Sequence, residues 1–507
     1  LIALVGWSIF RAHNPDLSTT EKPMEFAFFN AIGRSATFPP HDPWLAGYSI
    51  AYYYFGYVMM SVMHQLSGVT AGLAFSLSNS LWFALGAASA FGVVANLVML
   101  AARHTQRAAI LFGSIGAIML VLMGNLEGSL ELAHANNVGS AEMWQWLDVQ
   151  EINGPAVQNL PSSPIEQPRP GWWWWRASRV IHDYPPDAIS PQLARAINGL
   201  PSANSTYQEL IDEFPQFSFL LGDMHPHVLS LPFALVCMAL ALNLYLGASN
   251  GEIKSLVSTS MWPLYALAVG GMSFLNTWDF PIYAFVLAAA LLLGRWRADR
   301  FSFWDGLFHL VILAVVGVLF YLPFYRGLTS QARGIAPNLF NGTRASQFFI
   351  MFGPFIVIGL MFGLTILIEA IRSRRVRLLP FAIKSIGGAI GLIAVITIGA
   401  AGLGVLAINL FGQARDWYQG VIDSLAKNGV TAGDQVLARL IDPWVPLGVA
   451  LGLVAIILFW RARRSAACSR ASPECCACSC PAMCRPSRPW NGRQTVSATR
   501  CSTRRCW

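Results

Sequence analysis

Two clusters of side chains in this sequence have the types and spacing to do chemistry. One is Gly222-Asp223-Met224-His225-Pro226-His227, which stands immediately before an apolar run. Carboxylate and imidazole are both ligand types for a divalent cation such as magnesium or manganese, and an imidazole can also donate to phosphate oxygens. Alternate positions of an extended stretch point the same way, so Asp223, His225 and His227 are expected to aim together as a metal or phosphate site. The plainer reading is an interfacial turn with satisfied histidines. The other cluster centres on Glu25, in a segment where Glu25, Phe28, Phe29 and Ile32 recur at helical spacing. That spacing predicts a short amphipathic helix lying on a membrane with a carboxylate near its start, placed to act as general base or metal ligand. A solvated acid favoured by the helix dipole is the alternative there.

Further candidates are cationic or aromatic. Arg326, Arg333 and Arg344 follow Pro323-Phe324-Tyr325, and guanidinium groups suit bidentate phosphate binding. Headgroup contacts or loop salt bridges would use them equally well. Trp174 belongs to a run of four tryptophans, Trp172 to Trp175, which can stack on sugar faces or sit in an interfacial aromatic belt. His182-Asp183 is a weaker pair. Asp279 stands at a polar break between two short apolar runs, a costly place for a charge unless it meets water or a partner. No phosphate-cradling glycine loop, nucleophile elbow or zincin pattern is present, so ATP-driven transport by this chain alone is not expected.

The elements that must position these groups are membrane helices. Of 507 residues, 55% are hydrophobic and 12% charged, with a mean hydropathy of +0.48, whereas a soluble domain carries about 25% charged residues. The net charge of +8 does not point to nucleic acid, because ten Arg and one acid, Glu474, lie from Arg461 onward and leave the body near neutral. Apolar runs predict an all-α polytopic protein with about ten crossings, near 1–10, 74–102, 108–125, 227–247, 262–275, 280–294, 305–323, 348–370, 381–411 and 443–460. The basic groups Arg103/Arg107, Arg295/Arg297/Arg300, Arg372 to Arg377 and Arg461 to Arg464 belong on the cytoplasmic side. Parity then makes 46–64 a non-spanning juxtamembrane helix with interfacial tyrosines, and makes 261–294 two short passes broken at Asn276 to Pro281. It also places 11–47, 126–218, 324–347 and 412–440 together on the extracytoplasmic side.

The membrane domain is expected over 1–460, with 126–218 as a long extracytoplasmic loop holding short helices. The chain opens at Leu1 inside an apolar run, so the first helix is expected to be cut. Residues 461–507 form a Cys/Arg-rich cytoplasmic tail with eight of the nine cysteines and no hydrophobic period. That composition reads as a frame slip near Arg464 in preference to a thiolate metal site.

Several segments carry a family resemblance. Glu21-Lys22-Pro23-Met24-Glu25, Phe38-Pro39-Pro40-His41-Asp42-Pro43-Trp44-Leu45-Ala46-Gly47-Tyr48, Tyr52-Tyr53-Tyr54-Phe55-Gly56 and the 222–227 motif resemble the YYY membrane proteins of Chloroflexi and Archaea over about 11–460. Glu25 stands where that family is expected to have Asp. At a greater distance the layout is similar to the GT-C membrane glycosyltransferases. That resemblance implies polyprenyl-phosphate sugar as donor, Glu25 as the first-loop acid and Asp223 as the acid before a later membrane helix. Glu25 and Asp223 are then the expected catalytic residues, and Arg326, Arg333, Tyr53, Tyr54, Asp42 and Trp174 the expected substrate contacts. A transporter or flippase for a lipid-linked or anionic solute, with Asp279 and the arginines along its path, and a non-catalytic assembly protein are the competing expectations.

Overall fold

The computed structural model describes residues 1–101, 105–149, 152, 173–183, 208–329, 342–372, 378–427, 431–441 and 443–468. The regular elements among those residues are helices apart from one pair of two-residue antiparallel strands, His182–Asp183 and Gln208–Glu209, with His182 opposite Glu209. Six helices are long and apolar enough to cross a membrane. They are α4 (Ala71–Leu100), α9 (Pro226–Ser249), α11 (Asp279–Arg297), α12 (Phe303–Phe320), α14 (Ala345–Arg372) and α15 (Leu378–Leu410). The other four apolar runs hold shorter apolar helices, below the length of those six: α1 (Ile2–Ala12), α5 (Gln106–Val121), α10 (Trp262–Leu275) and the start of α18 (Trp444–Cys468). Large apolar side chains such as Leu360, Met361 and Phe362 are exposed. On a polytopic protein this is the surface a bilayer covers.

The short helices account for the two segments that parity singled out. Helix α3 (Phe55–Ser67) has 13 residues, about 20 Å, and is too short for a hydrocarbon layer of about 30 Å. It ends at Gly68, whose φ of 66° closes the helix in the left-handed region. The run 261–294 is divided into α10 and α11 at Asn276, Thr277 and Trp278, and the two helices pack on each other. The long loop contains α6 (Glu127–Ala135), α7 (Ala141–Leu147), a 3-10 turn Trp173–Ser178 and α8 (Pro215–Leu221). Two more helices, α16 (Gly412–Lys427) and α17 (Ala432–Ile441), join α15 to α18, and α13 (Leu322–Gly327) follows α12.

Helix α2 (Lys22–Arg34) departs from expectation in where it puts its apolar face. Pro23 starts it, and Lys22, Glu25, Phe29 and Ile32 form one buried stripe. That stripe faces the protein and not lipid: Phe29 meets Phe75 of α4 and His64 of α3, and Phe28 packs on Tyr52 and Tyr57. The tyrosine run likewise turns inward. Tyr54 is buried edge-on against Phe274 and Phe324, while Tyr53 stacks on Tyr52. Gly56 follows that run because α3 crosses α9 at very close range there; a Cβ at Gly56 would lie 2.4 Å from Leu229 Cδ1. One continuous core runs from Trp7 and Phe29 through Tyr54, Trp82 and Leu229 to Ala266 and Leu313.

Candidate functional site

The segment 222–227 lies between two helices, and its local chemistry explains its shape. Gly222 ends α8 with φ 82°, a left-handed conformation that a Cβ would strain. The guanidinium of Arg11 also lies 2.5 to 2.6 Å from where that Cβ would be, so glycine is required on both counts. Pro226 then opens α9 at its first turn, with His225 in the extended conformation before it. The helix start corrects the expectation of a uniformly extended stretch. His227 lies within the first turn of α9, and its Nε2 turns to Ser218 Oγ at 3.0 Å and Glu213 Oε2 at 3.4 Å. Its ring stacks on that of His225 with centroids 5.7 Å apart.

Glu25, Asp223 and His225 are brought together although about 200 residues separate the first from the others. The backbone N–H of Met224 donates to Glu25 Oε2 at 2.7 Å. Glu25 Oε1 and Asp223 Oδ2 each lie 3.8 Å from His225 Nδ1, and the other ring nitrogen, Nε2, is 2.5 Å from Glu21 Oε2. Thr20 donates to Asp223 Oδ1 at 2.8 Å. The carboxyl of Glu25 is 0% exposed, and its Oε1, His225 Nδ1 and the hydroxyl of fully buried Tyr57 have no hydrogen-bond partner among the described residues. A cluster that leaves buried polar atoms unpaired departs from the ordinary rule of satisfaction.

The electrostatics divide the acids by role. Burial, aided by the negative charge of Asp223, pushes the Glu25 carboxyl up to about 8, against the opposing pull of His225 and the Met224 N–H. Burial raises Asp223 as well, and the Thr20 hydroxyl, His225 and Lys22 oppose it. For His225 burial favours the neutral ring, but Glu25, the hydrogen bond to Glu21 and Asp223 outweigh it and raise the imidazole above its ordinary value. Two buried cations complete the site. Lys22, 2% exposed, donates to Leu221 O at 3.3 Å, and Arg11, 3% exposed, packs under Gly222. Beyond Arg11, Trp7 donates to Asn79 Oδ1 at 2.9 Å, and Asn79 Nδ2 lies 3.6 Å from Met224 Sδ.

The other expected residues have different places. Asp42 Oδ1 accepts from the N–H groups of Trp44 and Leu45 at 2.7 and 2.9 Å, a turn-closing use of its carboxylate. Arg326 is exposed at the end of α13, where neighbouring Gly327 lies close to Pro39 and Ser49 of the first loop. Arg333 lies outside the described residues. Arg344 is buried and paired with Asp148 at 2.5 Å. Trp174 packs on Phe217 and Trp175, and the Arg179 guanidinium lies 4.6 Å over the Trp175 ring. Asp279 accepts from Ser230 Oγ at 2.7 Å. Among the described residues no three His, Cys, Asp or Glu side chains form a group placed to hold a metal ion.

Sequence reasoning missed Arg11, Thr20, Glu21, Lys22 and Tyr57. The stripe 22, 25, 29, 32 would have revealed Lys22 as an inward-facing cation at helical spacing. No local signal links Arg11 or Tyr57 to position 223.

A family model described as uncharacterized membrane protein (DUF2298) matches residues 1–474. No curated protein and no solved structure matches the chain.

Proposed function

The chain belongs to the uncharacterized membrane protein family DUF2298, and from its buried acid–imidazole site we propose that it is a GT-C-like glycosyltransferase, allied to the YYY proteins, that moves a sugar from a polyprenyl-phosphate donor to an extracytoplasmic acceptor. The observation that carries the reading is Glu25: a wholly buried carboxyl, raised to about 8, with one oxygen unpartnered beside His225. A group whose proton is exchanged near neutral pH is suited to general base work. The place of Asp223 and His225 before α9, at the end opposite the Arg295 and Arg297 end of α11, agrees with a substrate that approaches from the bilayer surface on the extracytoplasmic side.

In the transfer, an acceptor hydroxyl attacks the anomeric carbon and gives its proton to Glu25 in those molecules in which the carboxyl has ionised, so turnover rises as pH approaches 8. The bond from that carbon to the phosphate oxygen breaks, and polyprenyl phosphate leaves with the electron pair. Protonated His225, and Arg326 or Arg333, would stabilise the charge on the leaving phosphate. Asp223 holds His225 in place and keeps it cationic. Were magnesium or manganese to enter with the donor phosphate, Asp223 would be its protein ligand, His225 would join only as the neutral imidazole in place of its cationic role, and His227 is held off by Ser218 and Glu213. Of the other expected contacts, Tyr53 would flank the substrate, while Tyr54, Asp42 and Trp174 would act through the packing and the turn they hold.

The test is release or transfer of labelled sugar from a polyprenyl-phosphate hexose by the protein in vesicles, with and without magnesium or manganese, comparing Glu25→Gln and Asp223→Asn. Turnover by the wild type, lost in both variants while donor binding persists, is the expected result. Full turnover by a folded Asp223→Asn variant, or absence of both donor binding and turnover in the wild type under every metal condition, would overturn the proposal.

A further inference from the structure

Helices α16 and α17 connect two long apolar helices, yet neither has the composition of a plain linker. In α16, Ala414, Trp417, Tyr418, Val421, Ile422 and Leu425 recur at spacings of three and four and so share one face. Arg415, Asp416, Gln419, Asp423 and Lys427 occupy the other. The apolar stripe is unevenly covered by the protein. Leu425 is 2% exposed, whereas Trp417 and Tyr418 are 53% and 44% exposed. In α17, Val436, Leu437 and Leu440 are exposed on one side of a ten-residue helix.

The flanking helices say where this surface lies. Basic residues mark the far ends: Arg372 at the end of α14, Lys384 near the start of α15, and Arg461, Arg463 and Arg464 toward the end of α18. By the bias of Lys and Arg to one side of a bilayer, Leu410 and Trp444 are then at the opposite surface. Residues 385–410 of α15 rise about 39 Å, enough to cross a hydrocarbon layer of about 30 Å. The stretch 412–441 therefore begins and ends at one membrane surface, with its exposed apolar stripe beside the acyl chains.

We propose that α16 and the exposed edge of α17 lie in the plane of the membrane, with Trp417, Tyr418, Val436 and Leu440 seated at the boundary between headgroups and acyl chains. A lipid surface is the partner the chemistry fits. The two aromatics are the residue types enriched at that depth, and the element is continuous with spans at both ends. In α16, Arg415 and Lys427 balance Asp416 and Asp423. Attachment thus depends on apolar burial and not on anionic headgroups, in contrast to basic amphipathic helices.

The experiment places a nitroxide at 417, 418, 419 or 423, one position at a time, through an incorporated ketone amino acid that leaves the nine native cysteines alone. The full chain is held in phosphatidylcholine vesicles, with and without phosphatidylglycerol, and relaxation by oxygen is compared with relaxation by a water-soluble nickel chelate. Labels at 417 and 418 are expected to favour oxygen several-fold over labels at 419 and 423, equally in both vesicle types. Nickel accessibility at 417 and 418 equal to that at 423 would overturn the proposal. So would shielding of 417 and 418 from both relaxants, which would mean that protein, a second copy or another chain, covers the stripe.

Discussion

Replacing Glu25 by Gln should make the protein more stable and less active, and the size of the first effect follows from the site. The carboxyl is held near 8 in the folded chain against an ordinary 4.5, with burial as the main cause. Between those values the unfolded chain has lost the proton and the folded chain has kept it, so stability falls as pH rises through that window and levels off above about 8. Relative to a side chain neutral in both states, the loss is about 3 kcal/mol at pH 7. Gln keeps the shape, can accept from the Met224 N–H and cannot ionise. Part of the gain is offset because His225, raised partly by Glu25, loses that partner. Thermal unfolding in detergent from pH 5 to 9 should give a flatter profile for Glu25→Gln, with a higher Tm than wild type at and above pH 7. Sugar transfer should fall by about 10²- to 10⁴-fold, the usual worth of a general base. A variant less stable than wild type at pH 7, with the pH profile unchanged, would refute the reasoning and make Glu25 an ionised structural group.

Gly222→Ala should lower stability by about 1–3 kcal/mol, because it puts a Cβ in a left-handed backbone position and against the Arg11 guanidinium; a Tm equal to wild type would contradict this. Arg176→Leu removes the partner that lies 2.5 Å from buried Glu131 and leaves Glu127 and Glu131 together without a cation, so destabilisation by about 3–5 kcal/mol is expected in chemical unfolding. Tyr57→Phe deletes a buried hydroxyl without a partner and should leave stability within about 1 kcal/mol of wild type or raise it; a larger loss would mean that the hydroxyl is bonded. Burial lifts the Asp212 carboxyl to about 7, so its contribution to the stability of 208–213 is lost as pH rises through 7. Hydrogen exchange there, normalised for intrinsic rate, should speed up as pH rises toward 7 and level off above it.

The sequence reading reached the elements better than the contacts. Apolar runs of 18 residues or more announce a helix by composition alone, and α4, α9, α14 and α15 are of that kind. The parity of the crossings places a break at Asn276 to Pro281, and the helices part at Asn276 to Trp278, with Asp279 to Pro281 forming the first turn of α11. His227 was misplaced for a reason that was also visible: Pro at 226 favours a helix start, and a helix start ends the alternation on which the three-residue set depended. Asp42 and Arg344 illustrate the remaining difficulty. A carboxylate two residues before Trp44 can close a turn, and an arginine can meet Asp148 from 196 residues away. The type of residue carries no mark of which partner it will find.

The charge arrangement around position 223 shows how a membrane edge can hold several acids so close together. Asp223 is backed by two buried cations, Arg11 and Lys22, which come from either side of the first loop's start. Glu21 is matched by His225, whose imidazole is raised by its acidic neighbours. Glu25 alone has no cation to itself, because Nδ1 of the same imidazole stands 3.8 Å from both Glu25 and Asp223. It is therefore the acid that keeps its proton, and the net charge of the cluster changes by one with that exchangeable hydrogen. Any anionic substrate that binds beside His225 would offset the positive charge that His225 presents to Glu25 and strengthen the carboxyl's hold on that proton. Product release would reverse the shift. Binding and proton exchange at this site are thus coupled by geometry, and donor affinity should fall as pH rises through the range in which Glu25 ionises.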